Sequence, residues 1–197
     1  MESSSVEAVV LRPDEAAETG DRKMRVLVAV DDSDESFYAL QWVLETLIEL
    51  QGLATGEKEN ENDYFHSTSL MLTIIHVMEP FPYYVFPGIQ PVFPTTSIIQ
   101  SANKSQQETA SAILNRAVNM CTERKVKAKT SILKGDPKEI ICDAAEQMHI
   151  DLIVVGSRGL GKIKRAFLGS VSDHVLHRAK CPVLIIKPPN EMLKKLL

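Results

Sequence analysis

Short apolar runs rich in valine and isoleucine recur along this chain, and stretches with helical spacing separate them. Met24–Val30 and Leu70–Met78 are continuous apolar runs, as expected of strands buried on both faces. Val126–Leu133 is a third run, weakened by its lysines; Asp151–Val155 is a fourth and Pro182–Lys187 a fifth. Between the first two, Phe37, Leu40, Leu44, Leu47 and Ile48 repeat at helical spacing. Ala102–Arg124 does the same through Ala110, Ile113, Leu114, Ala117, Val118 and Cys121. Ile140, Ile141, Ala144, Ala145 and Met148 form a third stripe, and Gly169–Ala179 reads as a fourth helix. Such alternation restricts the chain to an α/β architecture, a parallel sheet with helices on both faces. The expected fold is a single doubly wound five-stranded sheet in the order 3-2-1-4-5.

Local signals agree with these elements. Ser33 is placed to cap the first helix, with Asp34 and Glu35 in its first turn, where the helix dipole favours acids. Gly52 is placed to end that helix. Gly135-Asp136-Pro137 reads as a turn, a cap and a proline at the first helical position. Residues 1–22 are acidic and aperiodic, and are expected to form a disordered tail. Residues 23–189 are expected to form the domain, with insertions near 52–69 and 79–101, and 190–197 a second tail. The first insertion is acidic over Glu57–Ser69. The second holds Pro80, Pro82, Pro87, Pro91 and Pro94, which exclude a regular element there.

The 197-residue length suits one domain. No apolar run approaches the ~20 residues a membrane helix needs. The first 22 residues lack a basic n-region and do not read as a secretory signal. The three cysteines, Cys121, Cys142 and Cys181, are odd in number and widely spaced, which reads as free thiols in a reducing compartment. The expected location is the cytoplasm, with the nucleus also open.

Charge is segregated. Between Gly156 and Pro189 stand Arg158, Lys162, Lys164, Arg165, Arg178, Lys180 and Lys187 against the single acid Asp173. That segment is +6 in a chain whose total is −4, a pattern that suggests an anionic partner. In a 3-2-1-4-5 sheet the ligand crevice lies beyond the carboxyl ends of strands one and four. Asp31-Asp32-Ser33 follows strand one, and the glycine-rich stretch from Gly156 follows strand four, so both converge there.

Two phosphate-binding patterns fail on this stretch. Gly156-x4-Gly161-Lys162 has Ile163 where a P-loop needs Ser or Thr for magnesium. A dinucleotide fingerprint begun at Gly159-Leu160-Gly161 meets Lys164 where its third glycine belongs. The spacing Gly156-x2-Gly159-x9-Gly169-Ser170 does fit a cradle. Gly156 and Gly159 would allow close backbone approach and positive φ. Gly169 and Ser170 would open a helix whose free N–H groups suit phosphate. Ser170 also reads as an N-cap, through Ser170-x2-Asp173, and Ser172 adds a hydroxyl.

These residues resemble the universal stress protein family, in its plant-type, ATP-binding branch. The resemblance rests on Met24–Ser33, on Gly156–Ser172 and on Cys181–Ile186, and covers roughly residues 23–189. It implies a Rossmann-like fold and a site for ATP or a related adenine nucleotide, with or without magnesium. By motif, Ala29, Val30 and Asp31 would line the adenosine end, and Val77 would pack on adenine. Val155, Gly156, Arg158, Gly159, Gly169, Ser170, Val171 and Ser172 would hold ribose and phosphates. The resemblance also implies a homodimer paired through the last strand and a role as a stress-response or signalling module.

Plainer readings stand beside these. Asp31 and Asp32 could serve only their turn. Val30 and Val77 could be core residues. Nucleic acid is disfavoured because the basic stretch lacks interleaved aromatics and the chain is acidic overall. His174, His177 and Cys181 are too few convergent groups for zinc. No catalytic set stands out, so the alternatives are a slow ATPase or nucleotidyl-transfer enzyme, with Asp31 or Asp32 on magnesium, and an interaction protein with a vestigial site.

Overall fold

The computed structural model describes residues 23–48, 70–80, 96–157 and 168–189. Both expected tails, Gly52, the acidic insertion and the four prolines Pro82, Pro87, Pro91 and Pro94 lie outside the described residues, while Pro80 lies within them. Five strands form one sheet: β1 (Met24–Ala29), β2 (Leu70–Met78), β3 (Ala128–Lys134), β4 (Leu152–Gly156) and β5 (Val183–Ile186). Their order is β3-β2-β1-β4-β5, and every neighbouring pair is parallel. The helices are α1 (Asp34–Trp42), α2 (Thr96–Glu123), α3 (Pro137–Gln147) and α4 (Ser170–Arg178). α1 runs on into a π-helical segment, Val43–Leu47.

Strand alternation divides the core in two. On one face Val26, Val28, Leu72 and Ile74 pack against Phe37 and Leu40 of α1 and Ile113 and Ala117 of α2. On the other, Leu27, Ile75 and Ile153 pack against Ile141 and Ala145 of α3 and Val175 of α4. β1 is central, with Val28 level with Ile74 on one side and Val154 on the other. Val26, Leu27 and Val28 are fully buried. Each such side chain contributes about 1.5–3 kcal/mol by leaving water. Continuous apolar runs are therefore what the middle strands require.

The starts of two elements differ from expectation by two residues or more, each for a physical reason. α2 begins at Thr96 rather than Ala102. From Ile99 to Thr109 every described side chain is at least partly exposed, and Ala110 is fully buried, so the start of the helix carries no sustained apolar period to read. β3 begins at Ala128 rather than Val126. The chain leaves α2 through a turn in which Lys125 has φ 54 and Val126 N–H donates to Cys121 O at 2.9 Å. β3 is also an edge strand, so its exposed Lys129 and Lys134 discourage a further strand from adding there. The N-terminus of α1 is tied to α2 by Arg116, which lies 3.8 Å over the Phe37 ring and 3.6 Å from Asp34.

Candidate functional site

The carboxyl ends of β1, β2 and β4 open into a cavity of about 660 Å³. Ala29, Val30, Asp31, Val77, Val155, Gly156, Gly169, Ser170, Val171 and Ser172, all expected at a site, line this one cavity. The other two expected residues, Arg158 and Gly159, lie outside the described residues, as do Gly161, Lys162, Lys164 and Arg165. The crevice is where a doubly wound sheet places ligands, at the point where strand order reverses.

The turn after β1 is held from within. Asp31 Oδ1 accepts from the Ser33 N–H at 3.0 Å and from the Ser33 hydroxyl. Ser33 in turn caps α1, its Oγ accepting from Ser36 N–H at 3.3 Å. Ser36 is buried, and its hydroxyl bonds back to Asp31 O at 3.0 Å and Ser33 O at 2.9 Å. One oxygen of Asp31 thus serves the turn, as its plainer reading held. Asp31 nevertheless lines the cavity.

The glycines have reasons the sequence did not show. A Cβ on Gly156 would stand 2.9 Å from the Glu35 carbonyl carbon and oxygen and 3.0 Å from Ser36 N. Gly156 is therefore required by the first turn of α1, which crosses the end of β4. Among the described residues the only glycine with positive φ is Gly135, at 143°. Positive φ, expected at Gly156, is absent there. Gly169 has φ −74° and ψ 155°, ordinary extended backbone.

Gly169, not Ser170, is the N-cap of α4. Its N–H donates to Ser157 O at 2.8 Å, and Asp173 N–H makes the first helical bond, to Gly169 O at 2.9 Å. Ser170 is therefore already inside the helix. Since Gly169 has no side chain, no side-chain cap is made. The N–H groups of Ser170, Val171 and Ser172 precede the first helical bond and have no helical carbonyl to meet. They carry the positive end of the helix dipole. The buried Ser172 hydroxyl is turned inward, to Gly169 O at 2.9 Å and Ser157 O at 3.2 Å. Its part is to fasten the loop to the helix; it is not a free donor.

Across the crevice, Val77, Pro137, Ile141 and Ile75 supply an apolar wall. α3 starts there because Asp136 caps it, accepting from Lys138 N–H at 3.0 Å, with Pro137 at the first position. His76 also lines the cavity, and sequence reasoning passed over it in favour of Val77. Its Nδ1 lies 2.8 Å from Val30 O, joining the ends of β1 and β2. That partner is 46 residues away in the chain, so only the register of the two strands could have revealed it.

Outside the crevice, charged contacts join the α4 end of the chain to α3. His174 Nε2 sits 3.2 Å from Glu139 Oε1, outside hydrogen-bond geometry, while Arg178 Nε lies 3.1 Å from the other oxygen. Lys180 Nζ lies 2.6 Å from Glu146. These contacts clasp α4 to α3 and account for two of the basic residues of the +6 segment. Among the described residues no three His, Cys, Asp or Glu side chains converge as metal ligands would. Cys121, Cys142 and Cys181 are free thiols. Burial pushes the Cys121 thiol up to about 11 and raises the other two.

Fold and crevice together define a doubly wound α/β protein with an uncapped helix N-terminus at its switch point. The universal stress protein family profile matches residues 24–187, and the chain belongs to that family. A universal stress protein A-like protein of Arabidopsis thaliana is 28% identical over 177 residues, covering 85% of this chain and 92% of its own. Universal stress protein UspA of Lactobacillus plantarum has a TM-score of 0.60 and 25% identity, covering 84% of this chain and 98% of its own. A family member of Arabidopsis thaliana, solved with AMP bound, has a TM-score of 0.56 at 24% identity, covering 86% of this chain and 94% of its own. No helix among the described residues is long and apolar enough to cross a membrane.

Proposed function

We propose that this chain binds ATP or a related adenine nucleotide in the crevice and acts as a stress-response or signalling module. The observation that carries the reading is the first turn of α4, whose residues Ser170, Val171 and Ser172 line the cavity and whose N–H groups have no side-chain cap. A helix terminus of this kind suits a phosphate group. The apolar wall of Val77, Pro137 and Ile141 suits a nucleobase, and the turn at Asp31 lies where a ribose would sit. Arg158 and Gly159 belong to the same proposal. The AMP-bound Arabidopsis family member supports the ligand class.

Magnesium, if it accompanies the phosphates, would use Asp32 and the Asp31 oxygen not engaged by Ser33. It would polarise the phosphates there. We assign the output to a change in conformation or in dimerisation through β5, in the cytoplasm, and not to turnover. The purified protein is heat-denatured and the released small molecules are weighed, and ATP is titrated calorimetrically. An adenine nucleotide in the supernatant, or a saturable heat with ATP, is the expected result. Absence of both would overturn the reading.

A further inference from the structure

The peptide between Val30 and Asp31 is held at both of its polar ends. Its carbonyl, Val30 O, lies 2.8 Å from His76 Nδ1 of β2. Its N–H, that of Asp31, donates to Ser36 Oγ of α1 at 3.1 Å. A trans peptide is planar, with its C=O and N–H pointing in opposite directions, so the two bonds together fix the tilt of the plane. One step earlier, Val30 N–H donates to Ile75 O at 2.9 Å. The register of β1 with β2 ends at Ala29 and Ile75. Beyond it, β2 holds the Val30 N–H with a backbone carbonyl and the Val30 carbonyl with an imidazole.

This bond does not depend on the charge of the ring. A carbonyl only accepts, so Nδ1 carries the hydrogen in the neutral and in the protonated imidazole alike. Val30 is buried, His76 and Asp31 are half-buried, and all three line the cavity. The Val30–Asp31 peptide is where the chain leaves the sheet for the crevice, and its tilt sets the direction from which the Asp31 side chain starts. Without the imidazole donor the plane keeps only its bond to Ser36, on the α1 side, and can rock about the line joining its two Cα atoms.

We propose that His76 is a positioning residue for the nucleotide crevice: through Nδ1 it sets the Val30–Asp31 peptide, and thereby Asp31, without touching the ligand itself. The role rests on the nucleotide reading above. Two substitutions separate it from space-filling. In Asn the amide nitrogen stands as far along the side chain as Nδ1 does, whereas in Gln it stands one bond further out, as Nε2 does. His76→Asn therefore keeps a donor for Val30 O, and the bulkier His76→Gln does not. ATP is titrated calorimetrically into the full chain and both variants, and hydrogen exchange of the Asp31 amide is measured without nucleotide. His76→Gln is expected to weaken ATP binding and to speed Asp31 exchange about fivefold each, as for loss of one hydrogen bond, with His76→Asn within about twofold of the parent in both. A histidine that only fills space predicts the reverse order. That order, equal ATP affinity in all three chains, or equal Asp31 exchange in all three would overturn the proposal. A parent chain that binds no ATP overturns the nucleotide reading and this role with it, whereas ATP binding indifferent to both substitutions overturns this role alone.

Discussion

Replacing Gly156 by alanine tests the claim that packing, not ligand contact, fixes this glycine. The new methyl carbon would stand 2.9 Å from the Glu35 carbonyl carbon and oxygen and 3.0 Å from Ser36 N. Carbon atoms sit comfortably at about 3.5–4.0 Å, so a shift of roughly half an ångström or more is needed. The obstacle is backbone, so no rotamer change relieves it. Overpacking of this kind costs about 1–3 kcal/mol. For a domain of this size that lowers Tm by about 2–12 °C. The strain falls on Glu35 and Ser36, and Ser36 holds the turn at Asp31 through its hydroxyl. ATP affinity should therefore fall along with stability. Thermal unfolding by circular dichroism measures the first and calorimetry the second. An alanine variant with unchanged Tm and unchanged ATP affinity would refute the reasoning.

Other outcomes follow from the same geometry. Gly169→Asp should raise stability by about a few tenths of a kcal/mol, because φ −74° and ψ 155° suit an N-capping carboxylate and glycine is already a fair cap. It should abolish ATP binding, since that carboxylate would occupy the N–H groups proposed for phosphate; a rise in Tm with ATP affinity retained would count against the cradle. Asp136→Ala removes the cap of α3 and should cost about 1 kcal/mol in urea unfolding. Cys121 adds a pH dependence. Its thiol is raised to about 11 when folded, above the ~8.5 of an unfolded chain. Its contribution is complete below about pH 8.5 and is lost as pH rises towards 11, by up to roughly 3 kcal/mol. Cys121→Val should flatten the fall of Tm between pH 9 and 11 relative to the parent protein.

The strands and helix starts were legible in the sequence because their signals are local; the sheet order and the place of the crevice followed from the rule for doubly wound folds. Apolar runs mark the buried strands, and Ser33 and Asp136 mark helix starts within a few residues of the bonds they make. What the sequence hid depends on distant partners. The need for glycine at position 156 comes from Glu35, far upstream in the chain. His76 Nδ1 meets Val30 O, and Gly169 N–H meets Ser157 O while its own carbonyl takes the first bond of α4, which sets Gly169 and not Ser170 at the boundary. The start of α2 was invisible because Thr96–Ser101 holds no sustained apolar repeat. The +6 segment also divides: Arg178 and Lys180 pair with Glu139 and Glu146 of α3, Lys187 has no assigned part, and Arg158, Lys162, Lys164 and Arg165 are the residues proposed for the phosphates.

The central claim is that the first turn of α4 receives a nucleotide's phosphates. The most direct measurement follows the backbone amide resonances of the isotopically labelled chain during titration with ATP. The account predicts saturable shifts that are largest at Ser170, Val171 and Ser172, with Asp31 and Val77 moving in step. Saturation that leaves those three amides unmoved, or no shift at any ATP concentration, would contradict it.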